Sequence, residues 1–297
     1  MSDVIICNQL TKTYKDKKAL DSIDLYLGEN KIIGLIGRNG AGKTTFLKTC
    51  AGYLRPTSGS ISIFGSKPFD NIDVLSKLTF IDEEIQYDES LTLNDILSLG
   101  KLFYQNWDGA YADKLIRYFN LDGRKKYKKL SRGMKTQFNI IMSLACRAPL
   151  TLMDEPTLGL DVTVRKEFYN ILIKDYVENP RTLIISSHLM SELENMLEEM
   201  VLIHGGRLVF HKSIEELQSY GIILNGKKEI VEPFIKGKNI LKTETFGAGF
   251  IAGIENNLSK EDFSYLKENN VDVSKASIED VYIWTTSNGK GGFDAFN

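Results

Sequence analysis

The feature that most constrains this chain is the octapeptide from Gly37 to Thr44, GRNGAGKT, which matches the pattern GxxxxGK[ST]. It follows an apolar run over residues 31–36 and precedes residues 43–50, which predict a helix. Glycines let the backbone curl so that successive N–H groups point inward and hold phosphate oxygens, and the helix N-terminus adds partial positive charge. A strand, a glycine-rich loop and a helix in this order predict a phosphate-binding loop rather than an ordinary turn.

Each residue of this loop has an expected task. Lys43 is expected to reach the β and γ phosphates of a nucleotide as a catalytic residue, and the Thr44 hydroxyl is expected to take a position on Mg²⁺. The other residues expected to bind the nucleotide are the rest of the loop and the threonine after it: Gly37, Arg38, Asn39, Gly40, Ala41, Gly42 and Thr45.

The remaining pattern predicts an α/β fold. Short apolar runs alternate with amphipathic stretches up to about Ser219, which predicts a largely parallel sheet covered by helices. Residues 4–10 and 23–27 predict strands of a separate antiparallel subdomain, and residues 84–148 predict a helical one. We therefore expect a first domain over residues 1–219, a small α+β domain over 220–286 and a flexible tail over 287–297.

A second motif ends a predicted strand, where the apolar run Leu150–Met153 leads into Asp154 and Glu155. The carboxyl ends of parallel strands meet at the sheet edge where a phosphate loop also opens. We expect Asp154 to hold Mg²⁺, directly or through water, and Glu155 to orient and deprotonate the attacking water. Paired acids at a strand end more often form a cap or a surface pair, but the phosphate loop upstream favours the catalytic interpretation.

A third motif, Leu130–Met134, reads LSRGM and lies directly before a predicted helix. Ser131 and the Gly133 amide would offer a second phosphate grip at that helix N-terminus. Serine before a helix is usually just an N-cap, so this motif is informative mainly through its position between the other two.

These three motifs, in this order, resemble the nucleotide-binding subunit of ATP-binding cassette (ABC) transporters over about residues 4–218. The resemblance implies ATP and Mg²⁺ as cofactors and three further site residues. Tyr14 would stack on adenine, Asp161 would contact the other subunit of a dimer, and His188 would contact the γ-phosphate as a catalytic residue. From the residues alone, Tyr14 also suits a hairpin core, Asp161 a helix cap and His188 a surface position.

Three residues, at two places in the chain, depart from the family pattern. Arg132 and Met134 replace the Gly and Gln of the LSGGQ signature, while Ser131 and Gly133 are retained. Glu83 stands where the family usually has a Gln that joins Mg²⁺ to the membrane subunit, so Glu83 is a candidate metal ligand. A glutamine, Gln86, occurs three residues later.

The resemblance implies a head-to-tail dimer of identical or different chains around two ATP molecules. The dimer would power a separate transmembrane subunit from the cytoplasm, as a peripheral protein on the inner face of the cell membrane. The compact layout with a short C-terminal appendage resembles the branch that serves exporters of antimicrobial peptides and bacitracin-like compounds. The sequence has no apolar stretch long enough for a membrane span, so this chain is not expected to cross a bilayer itself.

Composition weighs on the alternatives. Lys plus Arg is 37 against 39 for Asp plus Glu, so no nucleic-acid partner is expected. The segment from Arg124 to Lys135 nevertheless contains seven cations and no acid. This segment is either a nucleic-acid-binding patch or a solvated loop that attracts the nucleotide, and the second interpretation is favoured. The alternative function is an ABC-type ATPase not coupled to transport, in nucleic-acid handling or translation. A single phosphate loop and no long coiled-coil insertion between Gly42 and Asp154 argue against it.

The cysteines indicate a reducing compartment. Cys7, Cys50 and Cys146 are odd in number and far apart in sequence, without metal-ligand spacing. We expect three buried thiols that act as small apolar residues.

Overall fold

The computed structural model describes residues 3–188, 190–247 and 249–286, and the predicted flexible tail over 287–297 lies outside these described residues. The strands, in chain order, are β1 Asp3–Tyr14, β2 Lys17–Gly28, β3 Ile32–Ile36, β4 Ser58–Ile63, β5 Leu78–Ile81, β6 Leu150–Asp154, β7 Thr182–Ser187, β8 Glu199–His204, β9 Arg207–Ser213, β10 Gly221–Lys227, β11 Ile240–Phe246, β12 Gly249–Glu255 and β13 Asp272–Lys275.

The helices, in chain order, are α1 Lys43–Cys50, α2 Ile72–Leu75, α3 Leu93–Phe103, α4 Gly109–Tyr118, α5 Arg132–Ala145, α6 Val162–Glu178, α7 Met190–Leu193, α8 Ile214–Tyr220, α9 Lys228–Phe234, α10 Lys260–Glu268 and α11 Ile278–Thr286. A short 3₁₀ turn, Tyr127–Lys129, precedes α5. Among the residues that the structure describes, we find no helix with the length and apolarity that crossing a membrane requires.

The chain divides into two compact units that meet in sequence between His211 and Lys212. The first unit contains a six-stranded sheet in the order β5-β6-β7-β3-β8-β9, in which β3 and β5 to β8 are parallel. A second, antiparallel sheet has the order β2-β1-β4. All five residues of β3 are buried, as expected for a parallel sheet with both faces covered. These sheets confirm the predicted α/β class with an N-terminal antiparallel subdomain.

Strand order places the motifs beside one another. β7 lies between β3, which leads into the phosphate loop, and β6, which ends in the two acids. The register pairs Ile36 of β3 with Ser187 of β7, and Asp154 of β6 with Ser186 of β7. The carboxyl ends of three neighbouring strands are therefore level with one another, although their sequences are far apart.

The helices α3, α4 and α5 of the first unit lie within residues 84–148, which the sequence predicts to be helical. Thr92 and Asp95 form a capping box at the start of α3, and the Asp108 side chain caps α4 by accepting the Tyr111 N–H. α4 packs against α5. Capping side chains that satisfy the free N–H groups fix where a helix begins, which is why these boundaries are readable from sequence.

The three cysteines are buried and unpaired in the structure, as the sequence predicts. Burial raises the pKa of the Cys7 thiol to about 12. A thiol that remains protonated packs as a small apolar side chain.

The second unit is built on a four-stranded antiparallel sheet in the order β11-β12-β10-β13. One face packs against α9 and α10 through buried residues that include Leu224, Phe250 and Leu266. A second cluster contains Val281 and Trp284 of α11. The α+β character matches the sequence expectation, but the contact-defined unit begins earlier than residue 220 and includes α8.

The packing of Trp284 generates a stability prediction. A Cβ added at Gly253 in β12 would lie 2.7 Å from the Trp284 indole ring, so Gly253→Ala should force one of them to shift. Overpacking of this kind lowers the free energy of unfolding by about 1–3 kcal/mol. Urea unfolding followed by tryptophan fluorescence measures the effect. Gly28→Ala is the control, because its Cβ would find its nearest atom at 3.9 Å. Equal midpoints for Gly253→Ala and wild type would contradict the close contact.

Candidate active site

The phosphate loop connects β3 to α1 and is held by backbone contacts that only glycine permits. Gly40 and Gly42 adopt the left-handed conformation, with φ of 78° and 115°. A Cβ at Gly42 would lie 2.5 Å from the Ala19 carbonyl oxygen, and one at Gly37 would lie 2.4 Å from the Ile203 carbonyl oxygen. Gly42 also stands at the N-cap of α1. Because glycine has no side chain to cap the first turn, the N–H groups there stay available for a ligand.

Next to the loop is an open cleft of about 430 Å³, large enough for a nucleotide. Its walls are Tyr14, Lys17, Ala19, Glu155 and the loop residues Arg38, Asn39, Gly40, Ala41, Gly42, Lys43, Thr44 and Thr45. The structure therefore gathers every predicted loop residue except Gly37 around this space, and Gly37 contributes its carbonyl oxygen to Lys43. Tyr14 is 46% exposed, which excludes the alternative that it fills the hairpin core.

Of the three residues predicted to be catalytic, Lys43 and Glu155 line this cleft, and His188 contacts Glu155. Buried Lys43 donates from Nζ to the Gly37 carbonyl oxygen at 2.7 Å, and the same Nζ lies 3.4 Å from Glu155 Oε1. The other carboxylate oxygen, Glu155 Oε2, lies 2.8 Å from His188 Nδ1. Glu155 has a φ of 48°, a strained conformation for a residue with a Cβ. This turn follows β6 immediately and places the carboxylate between the two basic side chains.

A further residue, Ser186, connects the acids to the neighbouring strand. Its buried hydroxyl donates to Asp154 Oδ1 at 2.5 Å and accepts the Glu155 backbone N–H at 2.9 Å. The sequence interpretation gave Ser186 no role of its own. Only its position in the sheet indicates its role, because Ser186, next to the end of β7, pairs with Asp154 at the end of β6.

Thr44 in the cleft and Asp154 in the neighbouring cavity have oxygen atoms that suit Mg²⁺. Thr44 is exposed at the cleft and Asp154 is 8% exposed, with one of its oxygens held by Ser186. Hydroxyl and carboxylate oxygens are the ligands that Mg²⁺ prefers, usually together with waters and substrate phosphates. Among the described residues, no group of three or more His, Cys, Asp or Glu side chains could hold a metal by itself.

Glu83 lies away from the loop cleft. It lines a neighbouring cavity of about 230 Å³ that also reaches Asp154 and Glu155. Its Oε1 is 2.6 Å from Arg132 Nη2, so the structure pairs the candidate metal ligand with the arginine of the LSRGM motif.

The remaining predicted residues are at helix starts outside the loop cleft. Ser131 caps α5 by accepting the Met134 N–H at 3.3 Å, and Gly133 lies in the first turn. The exposed Asp161 caps α6, accepting the N–H groups of Thr163 and Val164 at 2.9 and 3.0 Å. Both side chains therefore cap helices, as the alternative interpretation of each predicted.

Much of the basic segment from Arg124 to Lys135 is engaged within the chain. Arg124 pairs with Asp122, Lys128 with Glu89 and Arg132 with Glu83. The Lys135 ammonium lies 5.4 Å from the centre of the Tyr127 ring. These contacts leave fewer cations for a phosphate backbone, which weighs against a nucleic-acid surface.

Comparisons with known proteins identify the family of this chain. The family model described as ABC transporter matches residues 20–158, and one described as AAA domain, putative AbiEii toxin, Type IV TA system, matches residues 126–194. The bacitracin transport ATP-binding protein BcrA of Bacillus licheniformis is 33% identical over 70% of this chain and 69% of its own length. BcrA of Enterococcus faecalis is 34% identical over 73% of this chain and 71% of its own length.

Solved structures share the fold. An ATP-binding subunit of an ABC transporter aligns with a TM-score of 0.65 and 25% identity over 72% of this chain and 92% of that one. A dimeric ATP-binding cassette with bound ADP and phosphate aligns with a TM-score of 0.62 and 23% identity, covering 71% and 98% of the two chains, and shows the fold alone. The chain therefore belongs to the ABC transporter family, as an ATP-binding subunit, and is an ATPase.

The contacts of Ser186 generate a prediction. Ser186→Ala removes the hydrogen bonds to Asp154 and to the Glu155 amide, so ATP turnover should fall by about 10-fold to 100-fold, as for other residues that orient a site from behind. Ser186→Thr keeps the hydroxyl and should retain most of the activity. Steady-state phosphate release at saturating ATP checks both variants, with circular dichroism to verify folding. Full activity in a folded Ser186→Ala protein would exclude this role.

Proposed function

We propose that the chain forms a head-to-tail dimer, with a copy of itself or with a related chain, and hydrolyses two ATP molecules to drive a separate transmembrane subunit. The observation that carries this proposal is the position of the Glu155 carboxylate, between Lys43 and His188 at the edge of the phosphate-loop cleft. The location of Ser131, Gly133 and Asp161 outside that cleft supports a site completed by a second subunit.

The mechanism assigns a task to each side chain. Lys43 binds the β and γ phosphates, which replace its present partners Gly37 and Glu155, and Tyr14 stacks on the adenine. Thr44 and Asp154 would hold Mg²⁺, which when bound neutralises phosphate charge. Glu155 orients the attacking water and accepts its proton, while His188, in contact with Glu155, stabilises charge on the transferring phosphoryl group.

Ser131 and Gly133 of the second copy complete the site from the opposite side. The N-terminus of α5 would there present its N–H groups and partial positive charge to the γ-phosphate. Asp161 of the same second copy would contact the subunit that holds the nucleotide. Each active site thus contains residues of two chains, which makes hydrolysis depend on dimerisation.

The cargo proposal is a peptide or antimicrobial-type compound that is exported. It rests on the printed names of the relatives, which include bacitracin transport and daunorubicin resistance ATP-binding proteins. The chain would then be peripheral on the cytoplasmic face of the cell membrane, bound to its transmembrane partner. The unit from Lys212 onward contains no nucleotide motif, and we propose for it a regulatory or dimer-supporting role.

Replacing Glu155 tests the proposed mechanism. Glu155→Gln removes the carboxylate that orients and deprotonates water but leaves the phosphate contacts, so hydrolysis should fall by about 100-fold or more. The variant should persist as an ATP-bound dimer in gel filtration with ATP and Mg²⁺, where the wild type returns to monomer.

The control for this test is Glu167→Gln, an acid of α6 that lies outside the cleft lining. It should hydrolyse ATP and elute like wild type. Chelation of Mg²⁺ should stop turnover in both. Wild-type turnover in Glu155→Gln would refute the assigned role, and absence of an ATP-dependent dimer, alone and with the membrane partner, would refute the dimer.

A further inference from the structure

Arg132, one of the two departures in the LSRGM motif, has a defined set of contacts. It is the first residue of α5 and stands between Ser131 and Gly133, the residues proposed to grip a second subunit's ATP. Its guanidinium forms an ion pair with Glu83 at 2.6 Å. Glu83 is the departure from the family pattern that lies outside this motif, so Arg132 and Glu83, both unusual at their positions, contact each other.

The stem of Arg132 lies over the loop that follows the catalytic acids. A Cβ at Gly159 would lie only 3.2 to 3.4 Å from the Nε, Cδ and Cγ atoms of Arg132. One turn further along α5, the Thr136 hydroxyl lies 3.2 Å from the Leu158 carbonyl oxygen and 3.2 Å from that of Arg132, and shares its one hydrogen between them. The start of α5 is therefore tied to the loop after Glu155 by two neighbouring contacts.

The segment that carries Glu83 is itself anchored to the phosphate-loop helix. Lys48 of α1 lies 3.3 Å from Asp82 Oδ2 and 2.5 Å from Glu84 Oε2. Glu84 holds the pKa of Lys48 above its ordinary value. Asp82 and Glu84 thus bind α1, and the residue between them binds α5, which connects the two helices that present phosphate-binding N–H groups.

The charge of α5 explains why Arg132 needs an acid. Its first turn, Arg132-Gly133-Met134-Lys135, contains two cations and no carboxylate. Cations at a helix N-terminus are unfavourable because they meet the positive end of the helix dipole. Glu83 supplies the missing negative charge from another segment.

We propose that Glu83 and Arg132 form a positioning pair that sets the start of α5, and with it Ser131 and Gly133, for the ATP bound by a second subunit. Glu83 acts through Arg132 and is not a ligand of the metal. This inference rests on the proposed dimer. Both side chains are more than half exposed, and ion pairs of that kind contribute little to stability, so the effect of the pair is on assembly rather than on folding.

The test uses the full chain carrying Glu155→Gln, in which the ATP-bound dimer accumulates. Glu83→Gln, Arg132→Gln, both together, and the exchanged pair Glu83→Arg with Arg132→Glu are added to it. Sedimentation gives the dimer dissociation constant with ATP and Mg²⁺. A fluorescent ATP analogue at low protein concentration gives monomer affinity and its Mg²⁺ half-saturation. The matched control is Glu89→Gln with Lys128→Gln, an exposed pair that joins the same two segments.

We expect each single change to weaken the dimer by about fivefold. The double change should cost no more than either single one, and the exchanged pair should regain part of the loss. Monomer affinity, Mg²⁺ half-saturation and melting temperature should stay at parent values, and the control pair should dimerise like the parent.

Two results would overturn the inference while the parent still dimerises. One is additive losses in the double variant, and the other is a shifted Mg²⁺ half-saturation in Glu83→Gln that Arg132→Gln lacks. The second result would indicate that Glu83 is a ligand of the metal. A parent that does not dimerise with ATP would overturn the proposed function, and this inference with it, so the two failures are distinguishable.

Discussion

The arrangement depends most on the placement of one carboxylate, that of Glu155, against two basic side chains. Lys43 comes from the phosphate loop and His188 from the segment after β7, so their meeting requires β7 to lie between β3 and β6. Ser186 then fixes the backbone of Glu155 by accepting its N–H, which steadies a strained turn. A carboxylate held in one place by contacts with Lys43 and His188 is preorganised for the role proposed for it.

Much of the fold could be predicted from the sequence because its signals are local. β6, Leu150–Asp154, matches its predicted position, since the apolar run and the acids that end it lie within one segment. β1 and β2 extend to 12 residues each, further than the apolar runs suggested, because register shifts along their pairing accommodate polar residues. β10, α9 and β13 were not predicted. β13, Asp272–Lys275, is a four-residue edge strand with little alternation of buried and exposed residues. α9 contains Pro233, and a proline within a segment predicts against a helix.

The site could be predicted where its residues are contiguous in the sequence. It could not be predicted where its residues meet only through contacts between distant parts of the fold. The loop from Gly37 to Thr44, the acids 154 and 155 and the segment before His188 are contiguous motifs, and strand order brings them together. The role of Ser186 could not be predicted, because it comes from the pairing of Ser186 with Asp154 on another strand. The contact between Glu83 and Arg132 could not be predicted for the same reason, since about fifty residues separate the two in the sequence.

The helical subdomain shows the same physical logic over a longer stretch. Residues 82–89 contain five acids and residues 124–135 contain seven cations, a pattern that in isolation suggests a partner for each. The fold places them against each other: Lys128 holds the pKa of Glu89 below its ordinary value, and Glu83 pairs with Arg132. A cation introduced in one segment without an acid in the other would repel its neighbours and the N-terminus of α5, whereas the two together leave the local charge nearly balanced. Departures from a family motif are therefore better judged in pairs, by what each side chain faces, than by comparison with the pattern position by position.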